Sequence, residues 1–379
     1  MGRDKNKKSK IRTEFRKRYD QRQRRKDVTR DFADDAEQLD ELEKTERVTG
    51  KGSLTRKRVV TADISEEGTT GFRVDLQVAG NDILSGRVFR VHGLTSIIRT
   101  VQGDFECSTR GLLKSLATDL QHVLVAGDFV TIRSESETQG VVLRVEPRRN
   151  VIRRESKGKQ QIIAANLDLV FIVTSAAEPT FKPNLVDRIL VTAEAAGIEP
   201  VIVINKIDLA DGAALQPILG VWGQLGYSVL QVSATNAEGL ETMVELMRHR
   251  DSVLVGQSGV GKSSILNAID PNLRRRVASV SVENQKGRHT TTVAELMPLP
   301  FGGHVVDTPG VRQFQLFDVI PEEVINHFRD LRVFVDRCRY PSCTHLHEQG
   351  CGIRDALADG YIAGRRYDSY CQLRSDRGE

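Results

Sequence analysis

The sequence has few of the features that mark secreted or membrane proteins. Only 5 of its 379 residues are cysteine and 5% are aromatic, so neither a disulfide framework nor a surface of aromatic platforms is the first expectation. No apolar run approaches the ~18 residues that a membrane-spanning helix needs, and the N-terminus has no apolar signal segment. We therefore expect a cytoplasmic protein without membrane association. The length, as a soft guide, suggests two or three domains.

Positive charge is concentrated at the N-terminus, although the formal net charge is only +4. Residues 1–30 contain 14 Lys and Arg against 4 Asp and Glu, and residues 31–48 contain 2 basic against 8 acidic groups. Segments this basic often bind phosphate backbones by counterion release, and the plain alternative is a solvated tail that aids solubility. Because residues 1–70 lack apolar periodicity, we predict a charged, disordered extension there.

Two regions of different periodicity follow, and a third ends the chain. Residues 71–155 contain short β-prone runs between glycine and polar breaks, which predict a small RNA-binding barrel of the OB type or, more plainly, a structural β-domain. Residues 160–317 alternate apolar strands with helical segments, which predicts an α/β domain with a mainly parallel sheet. Residues 318–379 are predicted to be helical and to enclose a Cys/His cluster.

A phosphate-binding loop lies in the α/β region. Residues 256–263 match G-x-x-x-x-G-K-[ST] between an apolar strand and a helix. Backbone N–H groups and the helix dipole would hold the phosphates, Lys262 would reach the β- and γ-phosphates, and Ser263 would bind Mg²⁺. The alternative is a fortuitous glycine-rich turn. The predicted phosphate-binding residues are Gly256, Gln257, Ser258, Gly259, Val260, Gly261, Lys262, Ser263 and Ser264.

Two further motifs, each after an apolar strand, indicate that the base is guanine. In the NKID motif at 205–208, Asp208 can accept hydrogen bonds from both N1–H and the 2-amino group of guanine, whereas adenine would leave its charge unpaired. Ser233-Ala234 could add a backbone donor to guanine O6. The predicted base-binding residues are Asn205, Lys206, Ile207, Asp208, Ser233 and Ala234.

The order of the motifs is unusual for a GTPase. A DTPG motif at 307–310 would place Asp307 near Mg²⁺ and Gly310 near the γ-phosphate. Ordinary GTPases carry the phosphate loop and this motif before NKxD and SA, and here NKID and SA come first. Because positions in space rather than chain order create the pocket, we predict a circularly permuted GTPase domain.

These motifs resemble those of a known family, the circularly permuted ribosome small-subunit-dependent GTPase A, RsgA/YjeQ. The resemblance covers roughly residues 72–375 and rests on NKID, GQSGVGKSS, GRHTTT, DTPGVR and the Cys/His cluster. It implies an OB barrel, a permuted GTPase domain and a C-terminal helical zinc-binding domain. It also implies a GTPase stimulated by the small ribosomal subunit and acting in late maturation of that subunit. The charged extension is not a core feature of this family.

The C-terminal cluster has the composition of a structural zinc site. Cys338, Cys343, His345 and Cys351 form C-x₄-C-x-H-x₅-C, a Cys₃His set, and the resemblance implies one zinc ion on these four positions. His347 is the competing imidazole. Buried free thiols are the plain alternative.

No motif assigns the residue that orients the attacking water. Ras-like enzymes use a glutamine directly after the DxxG glycine, and Val311 stands at that position here. We predict His289, in the GRHTTT segment, as the catalytic residue, because an imidazole can donate to or accept from water near neutral pH. Contact with RNA or support of the loop is its alternative role. Thr291, with Thr290 as the alternative, is predicted to bind Mg²⁺ together with Ser263.

The sequence as a whole predicts a monomeric GTP hydrolase that binds GTP, GDP, Mg²⁺ and the rRNA of the small ribosomal subunit. One alternative is a permuted GTPase of large-subunit assembly, which the OB-like region and the Cys/His cluster disfavour. The other is a GTP-regulated RNA-binding module with negligible turnover, because intrinsic hydrolysis can be slow without an activator.

Overall fold

The computed structural model describes residues 60–64, 70–74, 82–93, 95–109, 124–156, 159–273, 294–307 and 319–375. Residues 62–379 form one compact unit. Within the described ranges, no helix has both the length and the apolar character needed to cross a membrane. The predicted disorder of residues 1–70 lies mostly outside these ranges. It did not anticipate strand β1, Val60–Ile64, whose β-branched residues favour an extended backbone.

Five strands close a small barrel. They are β3 (Ile83–His92), β4 (Thr95–Thr100), β5 (Gly103–Thr109), β6 (Phe129–Ser134) and β7 (Gln139–Val145). Each strand pairs with two others in the ring β3-β4-β5-β7-β6-β3, in which the β5–β7 pair is parallel and the other four pairs are antiparallel. Strand β2 (Thr70–Val74) pairs with β7 outside this ring. The closed five-stranded topology confirms the predicted OB-type barrel.

The barrel interior is apolar, and alternate residues of its strands fill it. Val88, Ile98 and Ile132 are fully buried there. Strand β5 has a weak sequence signal, because its alternation is carried by only two side chains, Phe105 and Cys107, between polar neighbours.

A second group of strands forms the sheet of the α/β domain. They are β10 (Leu169–Ser175), β11 (Glu199–Asn205), β12 (Ser228–Val232), β13 (Asp251–Val255), β14 (Glu295–Pro298) and β15 (His304–Asp307). Their order in the sheet is β14-β15-β13-β10-β11-β12. All neighbouring pairs are parallel except β14–β15. This mainly parallel sheet confirms the predicted α/β class. A separate hairpin is formed by β8 (Val151–Ser156) and β9 (Lys159–Ala165).

Both faces of this sheet are covered, which explains why its central strand reads as a continuous apolar run. In β10, Val170 and Ile172 pack into one core cluster, whereas Phe171 and Val173 pack into another. Four helices contribute to these layers: α1 (Pro183–Ala196), α2 (Gly212–Gln224), α3 (Leu240–Met247) and α4 (Lys262–Ile269).

Helix α2 has a weak sequence signal, because Pro217 and three glycines obscure its periodicity. The structure shows why it forms. Asp211 caps its N-terminus by accepting from the backbone N–H of Ala213 at 2.9 Å. Leu219 and Trp222 then bury its apolar face.

The barrel and the α/β sheet meet at one edge. Glu295 of β14 pairs with Arg90 of β3. Asp251, the first residue of β13, lies 2.6 Å from Arg87 Nη2 and 2.7 Å from His304 Nδ1. This second contact connects the barrel to the ends of β13 and β15 opposite the phosphate loop, whereas Glu295 is in register with Asp307 at the other end of β15.

The C-terminal segment, residues 319–375, consists of short helical pieces around its own core. They are 3₁₀ turns at Val324–His327 and Arg332–Arg337, helix α5 (Gly352–Ala358) and helix α6 (Gly364–Ser375). Phe328, Leu331 and Ile353 are fully buried in this core, and Val191 of α1 joins it. The predicted helical character is confirmed.

Candidate functional site

The phosphate loop connects β13 to α4, as the motif requires. Its three glycines have positive φ, 142° at Gly256, 86° at Gly259 and 96° at Gly261, a region that side chains avoid. A Cβ on Gly256 would overlap the carbonyl oxygen of Val173, and a Cβ on Gly261 would overlap the side chain of Asn205. The loop therefore needs glycine both for its backbone path and for close packing on β10 and β11.

Lys262, the first residue of α4, lies within this loop. Its ammonium group donates to the carbonyls of Gly256 and Gln257, at 2.7 Å each. The neighbouring Ser263 is exposed at the same helix N-terminus, where backbone N–H groups and the helix dipole favour an anion. The arrangement is suited to hold phosphate groups above the loop.

Asn205 connects the predicted base-binding and phosphate-binding segments. It ends β11 and is 2% exposed. Its Nδ2 donates to the carbonyl of Val260 at 2.8 Å, and its Oδ1 accepts from the N–H of Ala234 at 3.2 Å. Three segments that are distant in sequence therefore meet at the carboxyl edge of the sheet.

The remaining NKID residues project from this edge. Lys206 has a left-handed backbone, with φ of 65°, and Ile207–Leu209 form a 3₁₀ turn in which Asp208 is exposed. Lys206 Nζ donates to the carbonyl of Glu178 at 2.6 Å. The hydroxyl of Ser175 donates to the same carbonyl at 2.9 Å.

Ser175 and Glu178 were not anticipated from the sequence. The available signal was their position, directly after a buried strand adjacent to the NKID strand, where ligands bind in open α/β sheets. They position Lys206 beside the base-binding edge.

Several predicted residues fall outside the described ranges. These are His289, Thr290, Thr291 and Gly310. Asp307 ends β15, which pairs with β13, the strand that leads into the phosphate loop. The structure thus brings one end of the DTPG motif to the same sheet edge.

The four zinc-site residues converge at one point. One ligand atom from each of Cys338, Cys343, His345 and Cys351 lies within 4.8 Å of the others. His345 Nδ1 is 3.4 Å from the Cys338 Sγ and 3.6 Å from the Cys351 Sγ. Such separations fit ligands about 2.0 to 2.3 Å from a shared tetrahedral ion. The alternative imidazole, His347, is exposed and is not in this group.

Burial disfavours the charged forms of these ligand side chains. Burial raises the pKa of the Cys343 thiol to about 12 and lowers the pKa of His345. A zinc ion supplies the positive charge that favours the thiolates. The residues present therefore fit one structural zinc ion.

Glu348 orders the loop between the zinc ligands and was also missed by the sequence analysis. Its carboxylate accepts from the N–H and the hydroxyl of Thr344, at 2.7 and 2.5 Å, and from the backbone N–H groups of Leu346 and His347. Although burial alone would raise it, these hydrogen bonds hold the pKa of Glu348 well below its usual range. The only sequence signal was an acidic side chain between two ligands.

Comparison with known proteins supports the same assignment of the fold. A sequence profile of the RsgA GTPase family matches residues 145–317. A protein from Chlorobaculum parvum named small ribosomal subunit biogenesis GTPase RsgA is 39% identical over 305 residues, which cover 77% of this chain and 98% of that protein. A protein of the same name from Haemophilus influenzae is 37% identical over 297 residues, covering 76% and 83%.

Solved structures show the same similarity. The crystal structure of YjeQ from Thermotoga maritima has a TM-score of 0.63 at 31% identity and covers 78% of this chain and 98% of that one. The crystal structure of YloQ, a circularly permuted GTPase, has a TM-score of 0.61 at 27% identity, with 80% and 97% covered. The permuted order of motifs on this sheet therefore has a structural counterpart.

Proposed function

The chain belongs to the RsgA GTPase family, and from this membership we propose that it hydrolyses GTP on the small ribosomal subunit, in a late step of that subunit's maturation. Relatives of 33–41% identity are named for biogenesis of this subunit. We propose further that the bound subunit stimulates the GTPase activity.

The observation that carries the GTPase assignment is the meeting of three motifs through Asn205. Its side chain joins Val260 of the phosphate loop to Ala234 of the SA motif. This arrangement supports our proposal that the loop binds phosphate and that Asp208, on the same sheet edge, recognises guanine. We assign GTP binding to the loop residues 256–264, to the NKID and SA motifs, and to Asp307 and Gly310.

Mg²⁺ accompanies GTP in GTPases, and the site offers suitable oxygen donors. Ser263 lies exposed at the start of α4, and we assign it and Thr291 as protein ligands of the ion. When bound, Mg²⁺ neutralises charge on the β- and γ-phosphates. His289 is our proposed catalytic residue, which orients the attacking water by hydrogen bonding.

The residue types of each region suggest its part in the proposed function. We propose that residues 71–155 contact rRNA, that residues 160–317 bind and hydrolyse GTP, and that residues 318–379 hold the zinc ion and offer a second docking surface. The basic extension, within residues 1–70, would add salt-dependent attraction to RNA. We propose that the protein acts as a monomer in the cytoplasm, where its ribosomal partner is assembled.

The proposal is tested by measuring steady-state GTP turnover with and without purified small ribosomal subunits. Large subunits serve as the matched control for rRNA in general, and Lys262→Ala serves as the control for contaminating GTPases. We expect small subunits to increase turnover manyfold and large subunits to leave it near the basal rate. Equal rates in all three conditions would contradict the proposed partner, and equal stimulation by both subunits would contradict its specificity.

A further inference from the structure

Helix α6 lies between the zinc site and the α/β core, and it bonds to both. Toward the core, three of its side chains converge on the carboxylate of Asp187 in α1. Arg366 Nη1 donates to Oδ1 at 2.8 Å, and Arg365 Nη1 and Ser369 Oγ each donate to Oδ2 at 2.7 Å. Trp222 Nε1 of α2 donates to Oδ1 at 2.8 Å. One carboxylate thus receives four hydrogen bonds, three of them from α6.

This cluster is shielded from water and balanced in charge. The side chains of Asp187 and Arg366 are 0% exposed. Arg366 also donates through Nε and Nη2 to the carboxylate of Asp330, at 2.9 and 2.8 Å. Although burial alone would lower it, the two carboxylates raise the pKa of Arg366 above its usual value. Because removing one member of a buried ion cluster leaves an uncompensated charge, α6 has a strong preference for complete docking or complete release.

Toward the zinc site, the same helix holds the backbone of the ligand loop. The hydroxyl of Tyr370 donates to the carbonyl of Thr344, and the hydroxyl of Tyr367 donates to the carbonyl of His345, both at 2.8 Å. His345 is a zinc-site residue whose backbone has a φ of 62°. The two carbonyls that accept from these tyrosines therefore keep their positions only while the ligand loop keeps its shape.

We propose that zinc binding controls the docking of α6 on Asp187. The ligand loop, once it holds zinc, fixes Tyr367 and Tyr370, and these fix the face of α6 that carries the arginines into the α/β core. The Cys₃His site thereby couples the C-terminal segment to the GTPase core, in addition to stabilising that segment. This coupling goes beyond the proposed reaction and partner and depends on neither.

A second contact explains why release of α6 need not detach the whole segment. Arg329 Nε donates to Glu194 of α1 at 2.6 Å, and Phe328 packs in one core cluster with Val191 of α1. The Arg329–Glu194 contact involves no residue of α6, whereas Phe328 also packs on Tyr370 and Arg366 of that helix. We therefore expect zinc loss to free the helix while the 3₁₀ turn at Val324–His327 stays on α1.

The chain contains a built-in reporter of this docking. Trp222 is its single tryptophan, it is 0% exposed, and the guanidinium of Arg365 lies 4.9 Å from its ring centroid. In the full chain, we expect Cys338→Ser, or zinc removal by a zinc-selective chelator, to shift the Trp222 emission to the red and to increase its quenching by acrylamide severalfold. Restoring zinc to the chelated protein should reverse both changes.

Two further variants separate coupling from general unfolding. Tyr367→Phe combined with Tyr370→Phe keeps the rings but removes both hydroxyl donors, and it should give the same Trp222 response with the zinc ligands intact. Tyr361→Phe, at an exposed tyrosine of the same segment, is the matched control and should leave Trp222 unchanged. GTP affinity within a few-fold of the unaltered chain would show that the core remains folded.

Coupling between two sites must be reciprocal. Asp187→Asn should therefore weaken zinc binding, measured by competition with a chromogenic chelator, although this residue is not a zinc ligand. Asp168→Asn is the matched control, since that carboxylate accepts from Arg149 and from the backbone N–H of Asp251. Unchanged Trp222 quenching after verified zinc loss would overturn the proposal. Equal zinc affinity in the Asp187→Asn and unaltered chains would overturn it as well.

Discussion

Replacing Asn205 by alanine tests whether one buried side chain organises the nucleotide site. The substitution removes the hydrogen bonds to Val260 and Ala234. Each buried neutral hydrogen bond contributes about 1 kcal/mol net, so loss of both should cost about 2 kcal/mol. If that cost falls on the conformation that binds GTP, the Kd rises about 30-fold.

The assay is a direct measurement of GTP affinity, by calorimetry or by polarisation of a fluorescent GTP analogue. Asn150→Ala is a matched control, because Asn150 is also buried and its side chain makes one donor and one acceptor bond to the backbone of Leu167, at 2.8 Å each. That side chain lies at the other end of the sheet, near the barrel. The control should lower stability by a similar amount and leave the Kd for GTP unchanged.

A second substitution at the same position distinguishes loss of contacts from loss of shape. Asn205→Asp keeps an acceptor for the N–H of Ala234 but presents a carboxylate oxygen to the carbonyl of Val260. Since two acceptors repel, the Kd should rise at least as much as in Asn205→Ala. If both variants bind GTP with a Kd within about twofold of the unaltered chain and unfold at the same temperature, the reasoning is refuted. Changes this small are typical of substitutions at surface positions without specific contacts.

Three other perturbations test the remaining assignments. Asp208→Asn should weaken GTP binding and favour a xanthine nucleotide, because an amide N–H of the side chain then donates where a carboxylate oxygen accepted. If ATP competes as well as GTP for the unaltered chain, guanine recognition is contradicted. His289→Ala should lower the subunit-stimulated kcat by roughly ten- to a thousandfold with GTP affinity within a few-fold, and normal turnover would assign the water to another group. Removing residues 1–30 should flatten the salt dependence of subunit binding, whereas an unchanged slope would support the solubility role of the tail.

Features that depend on neighbouring residues were predicted well. The phosphate loop is defined by glycines within a short stretch and by the strand and helix on either side, and the structure places it between β13 and α4. The apolar runs of β10 and β11 predict buried parallel strands because both faces of the sheet are covered. Helix α2 is hard to predict because Pro217 masks its period, and its cap at Asp211 is a weak signal alone.

Features that depend on distant residues required the folded chain. The carbonyl of Glu178, which also accepts from Ser175, reaches Lys206 only because β10 and β11 are parallel neighbours. In the sequence, Glu348 cannot be distinguished from other acidic residues, and only the fold brings four hydrogen-bond donors to its carboxylate. The predicted domain limits and the predicted roles of the individual site residues stay predictions.

The sequence by itself determined the chemistry of this protein: the residue types and spacings that select phosphate, guanine and zinc, and the motif order that requires a permuted sheet. These are local properties, because a glycine turn or a Cys₃His set has the same ligand preference wherever the fold places it. Only the tertiary structure decided which elements act together. Asp187 and Arg366 are separated by 179 positions, and no local pattern predicts that a buried carboxylate on α1 becomes the docking point of α6, because the burial that makes this ion pair strong exists only after the chain has folded.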